Sequence, residues 1–138
     1  MTTGAELEAT GSLPLKGQPD IMLGRQAVRR LTQALKFSLV DQTKMITAAS
    51  ELSRNTIVYG GGGDMRWEVL SDGRRRGLRL HFEDHGPGIL DVEQAMVDGW
   101  TSGKGLGLGL SGSKRLVNEF EIRTAPGSGT RVSITRWA

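Results

Sequence analysis

The chain contains no cysteine, which excludes disulfides and thiolate metal sites. Aromatic residues make up only 5% and do not interleave with basic ones, so the stacking platform that single-stranded nucleic acid needs is missing. No apolar run approaches the ~18 residues of a membrane helix, and no membrane association is expected. Neither sign of charge dominates: 18 basic against 15 acidic residues leave a net charge of +3, too mild to call for a polyanionic partner. The densest basic cluster, Arg74-Arg75-Arg76, follows Asp72-Gly73 and reads as a solvated hairpin tip. The first ten residues carry Glu6 and Glu8 and lack the basic start and apolar stretch of a secretory leader, so a cytoplasmic location is expected. At 138 residues the natural count is one domain with a real core.

What the chain has in quantity is glycine, 20 residues of it. Four alternate in Gly103-Lys104-Gly105-Leu106-Gly107-Leu108-Gly109-Leu110, ahead of a helical stretch through Ser113-Lys114-Arg115-Leu116-Val117. Such a run lets backbone N–H groups approach a phosphate closely. Residues 107–112 also spell the dinucleotide fingerprint G-x-G-x-x-G, but no strand leads directly into them, and neither Lys104 nor Lys114 completes a P-loop.

Residues 1–19, broken by Gly4, Gly11, Pro14, Gly17 and Pro19, read as a flexible tail with at most an edge strand near Ser12 to Lys16. Ile21, Val28, Leu31 and Leu35 fit a helical stripe over 20–36. A second helix, capped by Asp41, carries Met45, Ala48, Ala49, Leu52, Thr56 and Tyr59 and stops at Gly60-Gly61-Gly62-Gly63. Strands are expected at 65–70 and through Leu78, Leu80 and Phe82, then a short helix over 92–98, a helix from the glycine run to about Phe120, and a closing hairpin of 121–124 with 130–135. This order predicts an α+β fold: a two-layer sandwich of a mainly antiparallel mixed sheet with helices on one face. The glycines at 99 and 103 also predict a mobile lid over 91–104.

Four segments carry chemistry. Glu51 and Asn55 stand at i and i+4, so a carboxylate and an amide oxygen share one helical face and suit a nucleophile and a hard cation. Asp84-His85-Gly86-Pro87-Gly88-Ile89 puts a carboxylate at a strand end, where it can accept from an exocyclic amine. The glycine run is the third segment. Gly127-Ser128-Gly129-Thr130 is the fourth and, alone, a hairpin turn. His81 and His85 make a poor metal pair and read as strand surface and loop.

Taken in order, E-x-x-x-N, D-x-G-x-G-I, G-x-G-x-G-L and G-x-G-T resemble the GHKL ATPase and kinase superfamily, whose ATP-binding domain has the Bergerat fold. The resemblance makes 20–138 the ATP-binding kinase domain. The wording of 39–43, 51–55, 98–100 and 114–122 is most similar to bacterial serine/threonine switch kinases of the stressosome type. What this implies is ATP-dependent phosphorylation of a STAS-domain antagonist in a partner-switching pathway, with a PPM-type phosphatase or a sigma factor as further partners. The alternative is an anti-sigma factor that sequesters a sigma factor in its ATP-bound form.

The resemblance makes Glu51 the general base and Asn55 the Mg²⁺ ligand. Asp84 accepts from the adenine amino group, and Gly86 and Gly88 shape its pocket. Thr130 supports the base. Gly103, Lys104, Gly105, Gly107, Gly109 and Leu110 hold the phosphates, with Gly103 as a lid hinge. H-R-D and D-F-G are missing, so a eukaryotic-type protein kinase is excluded.

Overall fold

The computed structural model describes residues 6–89, 91–97 and 109–138. Five strands, β1 (Glu6–Leu15), β2 (Gly63–Ser71), β3 (Arg76–Asp84), β4 (Glu119–Thr124) and β5 (Thr130–Trp137), form one sheet in the order β1-β2-β3-β5-β4. Every pairing among them is antiparallel. Among the described residues, four helices accompany the sheet: α1 (Gln18–Ala34), α2 (Leu39–Val58), α3 (Val92–Ala95) and α4 (Leu110–Arg115). The architecture is therefore α+β, helices against an antiparallel sheet.

The helices start where backbone N–H groups find acceptors. Asp20 folds back so that its Oδ2 accepts from the N–H groups of Lys16 (2.7 Å) and Gly17 (3.3 Å), and Pro19 sits in the first turn, where no N–H is needed. Ser38, not Asp41, caps α2: its Oγ accepts from Asp41 N–H at 3.1 Å. That leaves the Asp41 carboxylate free to take Arg136 Nη2 at 2.6 Å, and this hydrogen bond, outweighing burial, holds its pKa below the usual carboxylate range. Arg136 Nη1 also donates to the Leu116 carbonyl just past α4, so one side chain of β5 ties the start of α2 to the end of α4.

The core lies between sheet and helices. Leu78, Leu80 and Phe82 of β3, Met65 of β2 and Ile134 of β5 meet Val28 of α1 and Met45, Ala48 and Leu52 of α2, all buried. The other face of the sheet is polar. His81 lies between Glu68 Oε1 and Ser133 Oγ, at 2.6 Å from each, and Arg79 reaches Thr135 and Glu119. Trp137 closes one end of that face over Gly77 and receives Arg75 on its ring at 5.1 Å.

Residues 6–15 are not a loose tail. They pair with β2 along their length, with one bulge between Leu7 and Ala9, and Leu15 has no exposed surface. The helix expected to run to Phe120 ends at Arg115, because β4 begins at Glu119 and pairs with β5. Of the expected lid, α3 is described, whereas 98–104 lie outside the described residues. No described helix is long and apolar enough to cross a membrane.

Leu15→Ala should cost ~2–5 kcal/mol in urea denaturation, the range for a buried leucine; a loss under ~0.5 kcal/mol would put β1 outside the cooperative unit. Acid gives a second check. Burial, opposed by Glu68, holds the His81 pKa below its ordinary value of ~6.5. The folded state thus favours the neutral ring, a contribution present above that ordinary value and lost as pH falls through the lowered one. Urea curves taken on acidification should show the parent losing more stability than His81→Gln.

Candidate functional site

The end of β3 is where the cleft begins. Asp84 is almost fully buried, and its Oδ1 accepts from the backbone N–H groups of Gly86 (2.9 Å) and Thr130 (3.2 Å). Burial raises the Asp84 pKa, and those two N–H groups only partly offset it. A buried carboxylate in a cleft makes Asp84 a candidate binding residue. Gly60 makes room for it: a Cβ there would stand 2.3 Å from Asp84 Cγ. The four glycines from 60 to 63 read as a helix stop, and Gly60 is also one wall of this pocket.

Leu52, Asn55, Thr56 and Tyr59 of α2, Phe82 and Asp84 of β3, Ile89, Leu110, and Thr130 and Val132 of β5 line one cleft. Most of its lining is apolar, with a few polar groups, and it encloses about 20 Å³. Asn55, Asp84, Leu110 and Thr130, which lie far apart in sequence, are thus brought together. Gly86 and Gly88 frame the loop that closes the Asp84 end: Tyr59 donates its hydroxyl to the Gly88 carbonyl at 3.0 Å, and Gly127 N–H meets the Pro87 carbonyl at 2.7 Å.

The glycine run reaches the site at its last member. Gly109 is the N-cap of α4 with φ of 60°, a left-handed conformation that suits glycine. Its bare Cα faces Glu51, since a Cβ would stand 2.3 Å from Glu51 Cγ and 2.6 Å from Oε1. Glu51, one helical turn before Asn55, is half-buried and forms a loose pair with Arg54 at 3.7 Å. The carboxylate and the phosphate-binding run expected from sequence therefore touch. Gly103, Lys104, Gly105 and Gly107 lie outside the described residues.

Sequence assigned no site role to Tyr59, read as part of a helical stripe, to Ile89, the last letter of D-x-G-x-G-I, or to Thr124, read as a hairpin residue. Thr124 Oγ1 lies 2.9 Å from Thr130 Oγ1, 3.0 Å from the Gly129 carbonyl and 2.9 Å from Ile89 N–H. The only local hint is its place six residues before Thr130, across the hairpin that G-x-G-T closes.

The profile of the family described as histidine kinase-, DNA gyrase B- and HSP90-like ATPase matches residues 40–137. The chain is 42% identical over 118 residues to the serine/threonine-protein kinase RsbT of Bacillus subtilis (strain 168), covering 86% of this chain and 89% of that one. It is 29% identical over 113 residues to the anti-sigma F factor of Clostridium novyi (strain NT), covering 78% and 79%. Among solved structures, the RsbU and RsbW domains of Rv1364c from Mycobacterium tuberculosis superpose with a TM-score of 0.65 at 18% identity, over 94% of this chain and 32% of that one, so the chain spans about a third of that protein and shares its fold.

Asp84→Asn should separate stability from binding. Asn keeps the Oδ1 acceptor but needs no charge in the buried position. With a folded pKa raised above the unfolded value, the parent's advantage is full at acid pH and lost as pH rises through the carboxylate range. Urea denaturation across that range should show Asp84→Asn gaining on the parent as pH rises. Its affinity for adenine nucleotide should fall by ~1–3 kcal/mol, because the amide turns a donor toward the ligand's amine. A constant stability difference across the range would contradict the raised pKa.

Proposed function

This chain belongs to the histidine kinase-, DNA gyrase B- and HSP90-like ATPase family and binds ATP; from that premise we propose that it is a protein serine/threonine kinase that phosphorylates a STAS-domain antagonist in a bacterial partner-switching pathway. The observation that carries the reading is Glu51 packed on Gly109. It sets a carboxylate beside the backbone that would hold the phosphates, where a hydroxyl proton must go. The identity to RsbT, which extends over nearly all of that kinase, supports the same activity.

The chemistry follows from the placement. Adenine enters between α2 and the loop after β3, with its amino group toward Asp84 and Thr130. The partner's serine or threonine oxygen attacks the γ-phosphorus, the bond from that phosphorus to the β–γ bridging oxygen breaks, and ADP leaves. The hydroxyl proton passes to Glu51. Asn55, one turn further along α2, has a neutral amide oxygen that would hold Mg²⁺ without repelling phosphate. The chemistry such an ion would supply there is charge neutralisation on the phosphate oxygens. Such a transfer needs positioning and charge balance more than covalent participation by the protein.

A second reading is supported by the 29% identity to the anti-sigma F factor: sequestration of a sigma factor in the ATP-bound form. Both readings use the same cleft and differ in what docks beside it.

Glu51→Gln should keep ATP affinity within about twofold and lose ~10²–10⁴ in the rate of phosphoryl transfer, the usual contribution of a general base. Asn55→Ala should lose the Mg²⁺-dependent part of ATP binding. Labelled γ-phosphate transfer to a purified STAS partner, beside calorimetric ATP titrations with and without Mg²⁺, reads both. Parent-level transfer by Glu51→Gln would remove Glu51 as the base. A parent that binds ATP, labels no STAS partner and retains a sigma factor would favour sequestration.

A further inference from the structure

Thr124 is the last residue of β4 and belongs to no glycine motif, yet three hydrogen-bonding groups converge on its hydroxyl. Ile89 N–H donates to it at 2.9 Å, the Gly129 carbonyl stands 3.0 Å away, and Thr130 Oγ1 lies at 2.9 Å. A hydroxyl has one proton and two lone pairs. The Gly129 carbonyl can only accept and the Ile89 N–H can only donate, so the proton of Thr124 goes to Gly129 and one lone pair goes to Ile89. What remains for Thr130 is the other lone pair. In this arrangement Thr130 donates to Thr124, and every group is met. The reverse direction would take the donor away from the Gly129 carbonyl.

The consequence falls on the cleft. With its proton directed at Thr124, Thr130 presents only lone pairs to the ligand. Asp84 beside it already spends Oδ1 on the N–H groups of Gly86 and Thr130, leaving Oδ2 as an acceptor. The polar groups of β3 and β5 at the base end of the cleft then have one polarity. They receive an amino group and meet a carbonyl oxygen with lone pairs.

We infer that Thr124 is a specificity-determining residue: by fixing the proton of Thr130 it makes the cleft select a 6-amino purine over a 6-oxo purine. Thr124 does not line the cleft of Asn55, Asp84 and Thr130 and acts through Thr130. The inference rests on reading the cleft as the adenine site.

The test compares ATP with ITP, which replaces the 6-amino group by a 6-oxo group, turns N1 from an acceptor into an N–H donor, and carries no 2-amino group. Calorimetry on the parent should show a clear preference for ATP. Thr124→Val keeps the branched shape but removes both the acceptor and the donor. The proton of Thr130 is then free to turn into the cleft, and the ratio of ATP to ITP affinity should fall by about tenfold, the equivalent of one misplaced buried hydrogen bond. Thr124→Ser, which restores the hydroxyl, should restore the ratio. Thermal melts of each variant check that the fold is kept, and the ratio reads specificity even where both affinities drop. An unchanged ratio in Thr124→Val, with both nucleotides weakened equally, would make Thr124 a purely structural residue and overturn the inference. So would a parent that binds ATP and ITP alike. A parent that binds neither nucleotide would instead overturn the adenine-site reading itself, and the inference with it.

Discussion

The site depends on holding one carboxylate where water barely reaches. Asp84 ends β3 against α2, and burial works against its charge. Two backbone N–H groups from different segments, the loop after β3 and the first residue of β5, converge on a single oxygen to keep it in place. Their convergence requires the β3–β5 register, which pairs Asp84 with Thr130. It also requires a helix C-terminus without a side chain at Gly60. The register, the glycine and the loop are therefore one constraint. Much of the surrounding packing, from Phe82 to Val132, can be understood as the scaffold that fixes those positions.

The sheet serves this arrangement with two unlike faces. One packs against helices through Leu78, Leu80 and Phe82. The other satisfies its buried polar groups within itself, His81 with Glu68 and Ser133, and Arg79 with Thr135 and Glu119. A fully hydrogen-bonded polar layer specifies register as firmly as a hydrophobic one, because a slip would strand buried donors. β3 and β5 are thus held in step from both sides, and the cleft at their end inherits that accuracy.

Much of this was legible in the sequence because the residues involved announce their chemistry locally. Glu51 and Asn55 lie one helical turn apart, Asp84 ends an alternating strand, and G-x-G-T closes a hairpin. The alternation of Leu78, Leu80 and Phe82 alone gave the covered face of β3. What stayed hidden was settled by distant partners. β1 is punctuated by Gly11 and Pro14 and is mostly exposed, so nothing in its own pattern shows that Leu15 enters the core; the pairing with β2 decides that. Ser38 and Asp41 are both good caps, and Arg136, 95 residues beyond Asp41, takes the second for other work. Tyr59 and Thr124 meet their partners in the loop after β3 across 29 and 35 residues, a separation at which spacing carries no signal.

The strand order has a consequence for synthesis. β5 lies between β3 and β4, so the inner edge of β3 stays unpaired until a strand made much later arrives. Asp84 and Thr130 are 46 residues apart, which at ~5–20 residues per second is on the order of 2–9 s on the ribosome. Through that interval the nascent chain has the carboxylate but neither Thr130 nor the strand that carries it. The cleft at the end of β3 therefore acquires its second wall late, and a chain stalled before β5 would leave the Asp84 carboxylate without one of its two backbone donors.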